Sequence, residues 1–479
     1  MKHRLKARLV VLLLGIAALT MLIPLTMAAI LRDAVMVRAF ALPLCAVMLF
    51  ALPTAIITRK QPVQFGAADG YLLVFFTWAL CCLLGAVPYV LSGCGIGITN
   101  AVFESACGFA TTGATAIGDI EALPKPLLLW RSLTHWFGGM GIVLLTVALM
   151  PLLGIGGFQL IKAEAPGPEK EKVTPKITAT AKFLWLAYCG LTAVLIPLYR
   201  AGGMNWFDAC CHAFSIMASG GISTKNAGLA SYNSAFIDGV STVFMLLAAL
   251  NFSLYYRLIK GKFRDIFTNS EGRAYLLIFV IATVILSLSL IPVYGTSALR
   301  YASYQAASVL STTGSPAANY EQWPALAQAV IFLLMFAGGC SGSTAGGIKV
   351  IRHVVLFKQA ANEMRRFIYP RGIFSVQLNQ KVGRKDVVYG VAAFIAIYLL
   401  VILITTLASA AAGMDILSSF SAALAVTGNI GVGFGAVGPG HNFASFPNYL
   451  KWFYSFVMIA GRLELWTVIV LFNPEYWRR

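Results

Sequence analysis

The sequence predicts an all-α, polytopic membrane protein with four pseudo-symmetric helix–pore loop–helix repeats after a two-helix hairpin. Three observations support this class: 59% of the 479 residues are hydrophobic and only 11% are charged, the apolar residues form long runs, and a Thr/Ser/Gly-rich segment recurs four times. Average soluble domains carry about 25% charged residues. The net charge of +18 comes mainly from lysines and arginines in short loops between the apolar runs. This distribution is typical of basic cytoplasmic loops and does not favour a nucleic-acid partner.

Apolar runs of about 20 residues are long enough to span a bilayer. Ten such spans are predicted, at 9–31, 36–58, 70–92, 127–153, 183–204, 235–258, 274–294, 325–350, 387–412 and 449–472. Four shorter segments, at 99–113, 206–221, 300–314 and 415–428, suit re-entrant positions, where protein or water covers the backbone. Residues 1–20 resemble a signal peptide, but no small-residue cleavage site follows them, so a retained first span is expected.

The distribution of basic residues predicts the orientation. With the N-terminus in the cytoplasm and the re-entrant segments entering from outside, 27 of the 36 lysines and arginines lie inside and eight lie outside. This bias favours a cytoplasmic (inner) membrane protein with both termini in the cytoplasm. The predicted units are a hairpin at 1–62 and repeats at 63–160, 161–265, 266–372 and 373–479. The cytoplasmic segments 162–182 and 351–386 are expected to contact lipid headgroups or a partner, or to be solvated loops.

The recurring Thr/Ser/Gly segment predicts a cation-selective pore. Aligning the glycines that end the re-entrant segments pairs Gly113 with Gly221, Gly314 and Gly428, each preceded at six residues by a small residue: Cys107, Ser215, Ser308 and Ala422. Backbone carbonyls can replace the water shell of a cation, glycine permits the strained backbone that aims them, and hydroxyl groups add oxygens. The candidate filter residues are Thr111, Thr112, Gly113, Ser219, Gly220, Gly221, Thr312, Thr313, Gly314, Val426, Thr427, Gly428 and Asn429. Ordinary helix breaks in a packed bundle are the alternative, and Gly220 rivals Gly221 for the filter position.

A glycine-rich stretch in the second helix of repeat 3 predicts a gate. Five glycines within 338–347 cannot sustain a straight helix, because each costs about 1 kcal/mol relative to alanine. The other repeats carry no equivalent glycine-rich interruption there, so a flexible loop on the cytoplasmic side of the filter is expected, with a static kink as the alternative. The candidate gate residues are Gly338, Gly339, Gly342, Ser343, Gly346, Gly347, Lys349 and Arg462.

Arg462 lies inside the last predicted span, where an unpaired charge is costly. Glu464 is two residues away and does not share its helix face. Arg462 is therefore predicted to point into the pore vestibule, toward carbonyls of the 338–349 loop. There it would oppose the passage of cations. A purely structural ion pair is the alternative.

The sequence does not favour an enzyme. It contains no HExxH, GxSxG or Walker sequence, and acidic residues inside the predicted spans are nearly absent, which weighs against a carboxylate proton relay. A secondary symporter that couples cation entry to H⁺ or Na⁺ remains an alternative to a gated uptake pore. A polytopic membrane enzyme or a scaffold is a third, less favoured, class.

Several motifs in order resemble the TrkH family, the membrane subunits of bacterial Trk potassium uptake systems in the Trk/Ktr/HKT superfamily. The resemblance covers essentially the whole chain, including the N-terminal hairpin. It is carried by Thr111-Thr112-Gly113, Arg131-Ser132, Trp136-Phe137-Gly138-Gly139-Met140-Gly141-Ile142, the stretch Gly338–Lys349 and Gly461-Arg462-Leu463-Glu464. Ser219 is a departure, because a bulkier aliphatic residue is expected there, and it leaves the register of the repeat 2 filter open.

The resemblance implies a potassium-channel-like fold, a homodimer with one pore per protomer, filter roles around the four aligned glycines, and restriction of permeation by the 338–349 loop and Arg462. It also implies a cytosolic ring of TrkA-like subunits that bind ATP/ADP or NAD and control the gate, whereas no cofactor is expected on this chain. Glycine at all four aligned positions favours K⁺ over Na⁺ as the transported ion.

Overall fold

The computed structural model describes residues 2–58, 67–141, 177–261, 264, 268–379, 381–382 and 385–478. Three sequence predictions fall partly outside these residues: the second half of the 127–153 span, most of the 162–182 loop, and the unit boundaries near 62, 160 and 265. Helices dominate the described chain, as predicted. The only described strands, β1 (Gln377–Leu378) and β2 (Lys381–Val382), form a small antiparallel ribbon.

The N-terminal hairpin has a first arm formed by α1 (Lys2–Leu19) and α2 (Leu22–Ile30), and a second arm formed by α3 (Ala34–Thr58). A turn separates α1 from α2, and the Thr20 hydroxyl donates to the Ala17 carbonyl there at 2.6 Å. The two pieces together have the length and hydropathy of one span, Arg8–Ile30. Asp33 Oδ1 accepts hydrogen bonds from the amides of Val35 and Met36 and so begins α3, as expected for an N-cap aspartate.

Four units of similar order follow the hairpin. Each has a long first helix, a short second helix, an extended segment and a further helix. The helices of the first two units are α4 (Ala67–Leu91), α5 (Ile98–Ala110), α6 (Lys125–Met140), α7 (Ile177–Ala201), α8 (Trp206–Met217), α9 (Ala235–Ala248) and α10 (Phe252–Ile259). Those of the last two are α11 (Ser270–Tyr294), α12 (Ala298–Leu310), α13 (Ala325–Leu334), α14 (Val350–Ile368), α15 (Lys385–Ala411), α16 (Ile416–Thr427), α17 (Asn448–Arg462), α18 (Leu465–Ile469) and α19 (Pro474–Trp477).

Within the described residues, six helices are long and apolar enough to cross a membrane, or eight if each of two bent pairs is one span. The bent pairs are α9 with α10, at 92°, and α17 with α18, at 114°. The predicted spans 127–153 and 325–350 are represented only by α6 and by the ten-residue α13. The prediction of ten spans therefore remains a prediction.

The short helices α5, α8, α12 and α16 have 12 or 13 residues. At 1.5 Å per residue each is about 20 Å long, which is too short to cross a hydrocarbon core of about 30 Å. The last ten residues of α5 are all buried. Polar caps begin two of these helices: Asn205 accepts from the Asp208 amide at 2.8 Å, and Asp415 accepts from the Ser418 amide at 3.0 Å. Buried short helices with capped ends fit the predicted re-entrant segments.

Candidate functional site

The four short helices end in the same backbone conformation. A residue in the left-handed region lies at or just past each helix end, with φ near +55°: Thr111, Ser219, Thr312 and Asn429. Two residues further on, each segment has a glycine with positive φ, and these are Gly113, Gly221, Gly314 and Gly431. Left-handed backbone is strained for side chains but not for glycine. We call each segment from the left-handed residue to this glycine an elbow. The four elbows are therefore equivalent in geometry as well as in composition.

Backbone hydrogen bonds give the same register. The amide between the left-handed residue and the glycine donates to the carbonyl five residues earlier in all four elbows. These bonds join Thr112 to Cys107 at 3.0 Å, Gly220 to Ser215 at 2.9 Å, Thr313 to Ser308 at 2.9 Å and Ile430 to Ala425 at 2.8 Å. Gly221 rather than Gly220 is thus the repeat 2 equivalent of Gly113.

The predicted alignment of Gly428 with the other three glycines is wrong by three residues. Gly428 has φ −81° and ψ −7°, so it caps helix α16 in a right-handed conformation. Val426 and Thr427 belong to the last turn of that helix. The equivalent segment is Asn429-Ile430-Gly431, and the small residue six positions before the glycine is Ala425, not Ala422. The helix runs three residues further than the Val-Thr-Gly sequence suggested.

Each of the four glycines packs against a backbone carbonyl of the next repeat, and the four contacts form a closed ring. A Cβ atom on Gly113 would collide with the Gly220 carbonyl oxygen of repeat 2, and one on Gly221 would collide with that of Thr313 in repeat 3. The same holds for Gly314 against the Ile430 carbonyl of repeat 4, and for Gly431 against the Thr112 carbonyl of repeat 1. The contacts run from repeat 1 through repeats 2, 3 and 4 and back to repeat 1. Four segments therefore surround one axis.

The carbonyl oxygens of this ring have no hydrogen-bond donor among the described residues. Thr112, Gly220, Thr313 and Ile430 are buried, yet none of their carbonyls accepts a hydrogen bond from the described part of the chain. Most buried backbone carbonyls in proteins are paired. Four unpaired carbonyls around an axis, at the negative ends of four short helices, form a site suited to a desolvated cation.

The glycine-rich stretch forms an irregular loop between α13 and α14, as predicted. Its two ends are held together, because the Gly338 amide donates to the Ile348 carbonyl at 2.9 Å and the Val350 amide donates to the Gly339 carbonyl at 3.1 Å. The loop also pairs with the break between α9 and α10: the Cys340 amide donates to Ala249 at 2.8 Å, and the Phe252 amide donates to Gly342 at 3.1 Å. The loop is thus a folded element seated against repeat 2.

The loop hydrogen-bonds the first residues of two elbows directly. The Gly346 amide donates to Thr312 Oγ1 at 2.6 Å, and the Thr344 hydroxyl bonds the Ser219 hydroxyl at 2.8 Å. Thr312 and Ser219 are left-handed residues that begin two of the four elbows. The loop therefore lies on the side of the ring where the short helices end. Its contacts link the predicted gate residues to the predicted filter residues.

Arg462 points toward the loop, as the sequence predicts. Its guanidinium donates to the Thr344 carbonyl at 2.6 Å and to the Gly138 carbonyl at 2.7 Å, and it also bonds the Gly139 carbonyl. Glu464 forms an ion pair with Arg352 at 2.7 Å. Arg462 thus bridges the end of helix α6 in repeat 1 to the loop of repeat 3.

Glu271 is a residue that the sequence analysis missed. It is buried at the start of α11, and its Oε1 accepts from the amides of Ser341 at 2.7 Å and Ile351 at 3.2 Å. The Ser341 amide lies in the loop, and the Ile351 amide lies in the first turn of α14, directly after the loop. Lys349, a predicted gate residue, is also buried and donates its Nζ to the Ala345 carbonyl. Both charged groups stabilise the loop from within.

Two sequence expectations change here. The loop is not the only interruption among the second helices, because α9 and α17 also break, and α6 ends at Gly141 with φ +73°. Buried carboxylates are also more frequent than expected; besides Glu271 they are Glu104, Asp208 and Asp238. The hydrogen bonds of these four go to arginine, hydroxyl, amide and backbone groups, and none of them joins two carboxylates. Within the described residues they do not form a relay.

On the face of the ring away from the loop, repeats 1 and 2 are joined by side chains. Asn226 Oδ1 accepts from the Ile120 amide at 2.8 Å, and its Nδ2 donates to Asp119 Oδ1 at 2.8 Å. This bond holds the pKa of the exposed Asp119 carboxyl below its usual range. No group of three or more His, Cys, Asp or Glu side chains that could hold a metal ion occurs in the described ranges.

Comparison with known proteins identifies the family of the chain. Residues 36–479 match the model of the TrkH family, described as cation transport proteins. The Trk system potassium uptake protein TrkH of Halomonas elongata is 36% identical over 490 residues, and that of Escherichia coli K12 is 35% identical over 485, with full coverage of both chains in each case. The crystal structure of the potassium transporter TrkH from Vibrio parahaemolyticus matches with a TM-score of 0.89 at 34% identity, again over both full chains. The chain therefore belongs to the TrkH family of cation transport proteins.

Proposed function

We propose that this chain takes up K⁺ across the cytoplasmic membrane through the carbonyl ring described above. The observation that carries this proposal is the closed contact ring of Gly113, Gly221, Gly314 and Gly431 with its four unpaired carbonyls. Such rings replace the hydration shell of K⁺ without adding fixed charge. The relatives named as potassium uptake proteins support K⁺ as the ion.

The gate of this pore is the 338–349 loop with Arg462. The loop bonds the left-handed residues Thr312 and Ser219, so it lies across the end of the ion path. Arg462 holds it through Thr344 and places a positive charge there, which opposes cations. Opening requires these bonds to break, and free energy supplied from outside this chain would raise the open probability above its basal level.

A cytosolic partner is the proposed source of that free energy. The relatives are named as components of a Trk system, and the resemblance supports a ring of TrkA-like subunits that bind ATP/ADP or NAD. We also propose a homodimer in the inner membrane, with both termini in the cytoplasm and lipid around the apolar helices. The excess of basic residues in the predicted inner loops supports this orientation.

The test is ion flux through the purified full-length chain in liposomes, with and without the cytosolic partner. A reversal potential fixed by the K⁺ gradient alone supports the uptake pore. A reversal potential that follows an imposed H⁺ or Na⁺ gradient would instead establish the symporter. Absence of cation flux under both conditions, with folded protein in the bilayer, would refute the proposal and revive an enzyme or scaffold role.

A further inference from the structure

The chain buries an ion pair beside the ring that the proposed pore does not use. Glu104 and Arg131 have 3% and 2% of their side chains exposed, and Arg131 Nε lies 3.1 Å from Glu104 Oε2. Glu104 belongs to the short helix α5 and Arg131 to the following helix α6. A buried ion pair is weak evidence for stability, because desolvation offsets the attraction. The role of the pair therefore has to be inferred from the groups that it hydrogen-bonds.

Both members of the pair hydrogen-bond the residues that follow the ring glycine of repeat 1. We call the residues after each ring glycine the exit segment of that repeat. Glu104 Oε1 accepts from the Ala116 amide at 2.6 Å and from the Thr115 hydroxyl at 2.5 Å. These residues follow Gly113 by three and two positions. Arg131 donates to Thr115 Oγ1 at 3.3 Å and to the Ser223 carbonyl of repeat 2, also at 3.3 Å. The pair thus fixes the exit segment of repeat 1 and links it to the exit segment of repeat 2.

The other repeats hold the corresponding segment without a buried charge pair. Nine residues before the ring glycine, where repeat 1 has Glu104, repeat 2 has His212, repeat 3 has Gln305 and repeat 4 has Ala422. His212 Nε2 bonds the Ser223 hydroxyl at 2.8 Å, and Gln305 accepts from the Ala317 amide at 3.4 Å. In repeat 4 the neighbouring Ser421 accepts from the Phe434 amide at 3.0 Å. Each repeat supports its exit segment from its own short helix, but with different chemistry.

We propose that Glu104 and Arg131 are positioning residues for ion selectivity. They hold the repeat 1 and repeat 2 walls of the ring at a fixed spacing, so that its carbonyls fit K⁺ better than a smaller cation. This inference rests on the proposed function, because it assumes that the ring is the selective element. Among the described residues, repeat 4 has a carboxylate of repeat 3, Glu321, that accepts from the Gly435 amide, but no buried ion pair of its own short helix holds its exit segment.

The test compares K⁺ and Na⁺ permeabilities from bi-ionic reversal potentials of the full-length chain in liposomes. Glu104→Gln keeps the size and an acceptor oxygen but removes the charge that pairs with Arg131. The double variant Glu104→Gln/Arg131→Gln removes both charges and avoids an unpaired buried cation. We expect each to lower the K⁺-to-Na⁺ permeability ratio by about tenfold, because charged hydrogen bonds to the exit segment are lost. A ratio within about twofold of the parent in these folded variants would overturn the proposal.

Asp238→Asn is the matched control. Asp238 also forms a largely buried pair with arginine, Arg300, at 2.7 Å, but it hydrogen-bonds none of the described exit segments. A loss of selectivity in this control equal to that of Glu104→Gln would show a general folding effect and overturn the proposal. If both charge variants fail to fold, Thr115→Val removes the hydroxyl that both groups share, and an unchanged ratio would overturn the proposal in the same way.

The parent chain separates this inference from the proposed function. If the parent passes Na⁺ as readily as K⁺, the ring assignment itself fails. If the parent is selective and Gly431→Ala abolishes selectivity while the Glu104 variants retain it, only the positioning role fails.

Discussion

Replacing Gly431 with alanine should damage the ion path, whereas replacing Gly428 should not. The change adds one methyl group at a residue with φ +84°. That methyl would collide with the Thr112 carbonyl oxygen and lie 2.7 Å from the Gly113 carbonyl carbon and 2.8 Å from the Ala114 amide nitrogen. All three atoms are backbone of repeat 1, so no side chain can rotate away to make room.

The expected magnitude has two parts. Left-handed backbone costs about 1–2 kcal/mol for a residue with a Cβ. Displacing the repeat 1 backbone adds to this, and about 1.4 kcal/mol corresponds to a factor of ten in population. The intact ring should therefore become at least about tenfold less populated in Gly431→Ala. K⁺-to-Na⁺ discrimination should fall correspondingly in bi-ionic reversal potentials measured in liposomes.

Two control variants separate the causes. Gly428→Ala adds a methyl group at φ −81°, where alanine is unstrained, and its side-chain neighbours Tyr398 and Ile430 lie at 3.2 and 3.3 Å. Its closest contact, the Leu424 carbonyl oxygen at 2.9 Å, is backbone and has to shift, but the three nearest atoms all belong to repeat 4. Gly228→Ala carries the strain of φ +65° but meets nothing within 4 Å. Both should keep the parent's selectivity. Loss of selectivity in Gly428→Ala with retention in Gly431→Ala would refute the register and restore the alignment that the sequence suggested.

Three further predictions concern the loop. Arg462→Gln removes the positive charge and weakens the links to Thr344 and Gly138, so K⁺ flux into liposomes should rise; flux at or below the parent level, with equal protein in the bilayer, would contradict the gate. Glu271→Ala removes two hydrogen bonds to the loop, each worth about 1.5–3 kcal/mol when one partner is charged, and should raise flux more than Glu271→Gln, which keeps an acceptor oxygen; equal flux in the two variants would argue against this anchor. Thr344→Val breaks the contacts with Ser219 and with the Ala248 carbonyl, and single-channel recording should show a higher open probability; an unchanged value would mean that the loop is held elsewhere.

The sequence predicted the short helices and three of the four ring glycines correctly because local chemistry determines them. Thr-Thr-Gly and Ser-Gly-Gly place glycine two residues after the left-handed position, where a Cβ would be strained. In repeat 4, Val426-Thr427-Gly428 imitates this pattern inside the last turn and cap of the helix. The usable signal was Asn429, because asparagine tolerates left-handed backbone better than most residues, and Gly431 follows it by two positions.

The break in the second helix of repeat 2 could not be predicted from composition. The break between α9 and α10 spans Ala249, Leu250 and Asn251, which include no glycine or proline. It forms because the Ala249 carbonyl accepts from Cys340 of the loop and because Asn251 caps α10 through the Ser253 amide at 2.8 Å. Glu271 was missed for a similar reason. Its partners lie 70 and 80 residues away, and no local pattern reports such a contact.

The position of Arg462 suggests why loop and ring would move together. Helix α6 ends at Met140, where the Gly138 carbonyl accepts from the Gly141 amide at 3.1 Å and Arg462 donates to the carbonyls of both Gly138 and Gly139. The same guanidinium holds Thr344, whose hydroxyl bonds Ser219 at the base of the ring. A displacement of the loop therefore breaks its contacts with repeats 2 and 4 at once. Because Thr312 is released from Gly346 in the same step, two of the four walls lose support when the gate opens. Under the proposed function, the resistance of the ring to this loss has to come from its far side, where Glu104 and Arg131 hold repeats 1 and 2 independently of the loop.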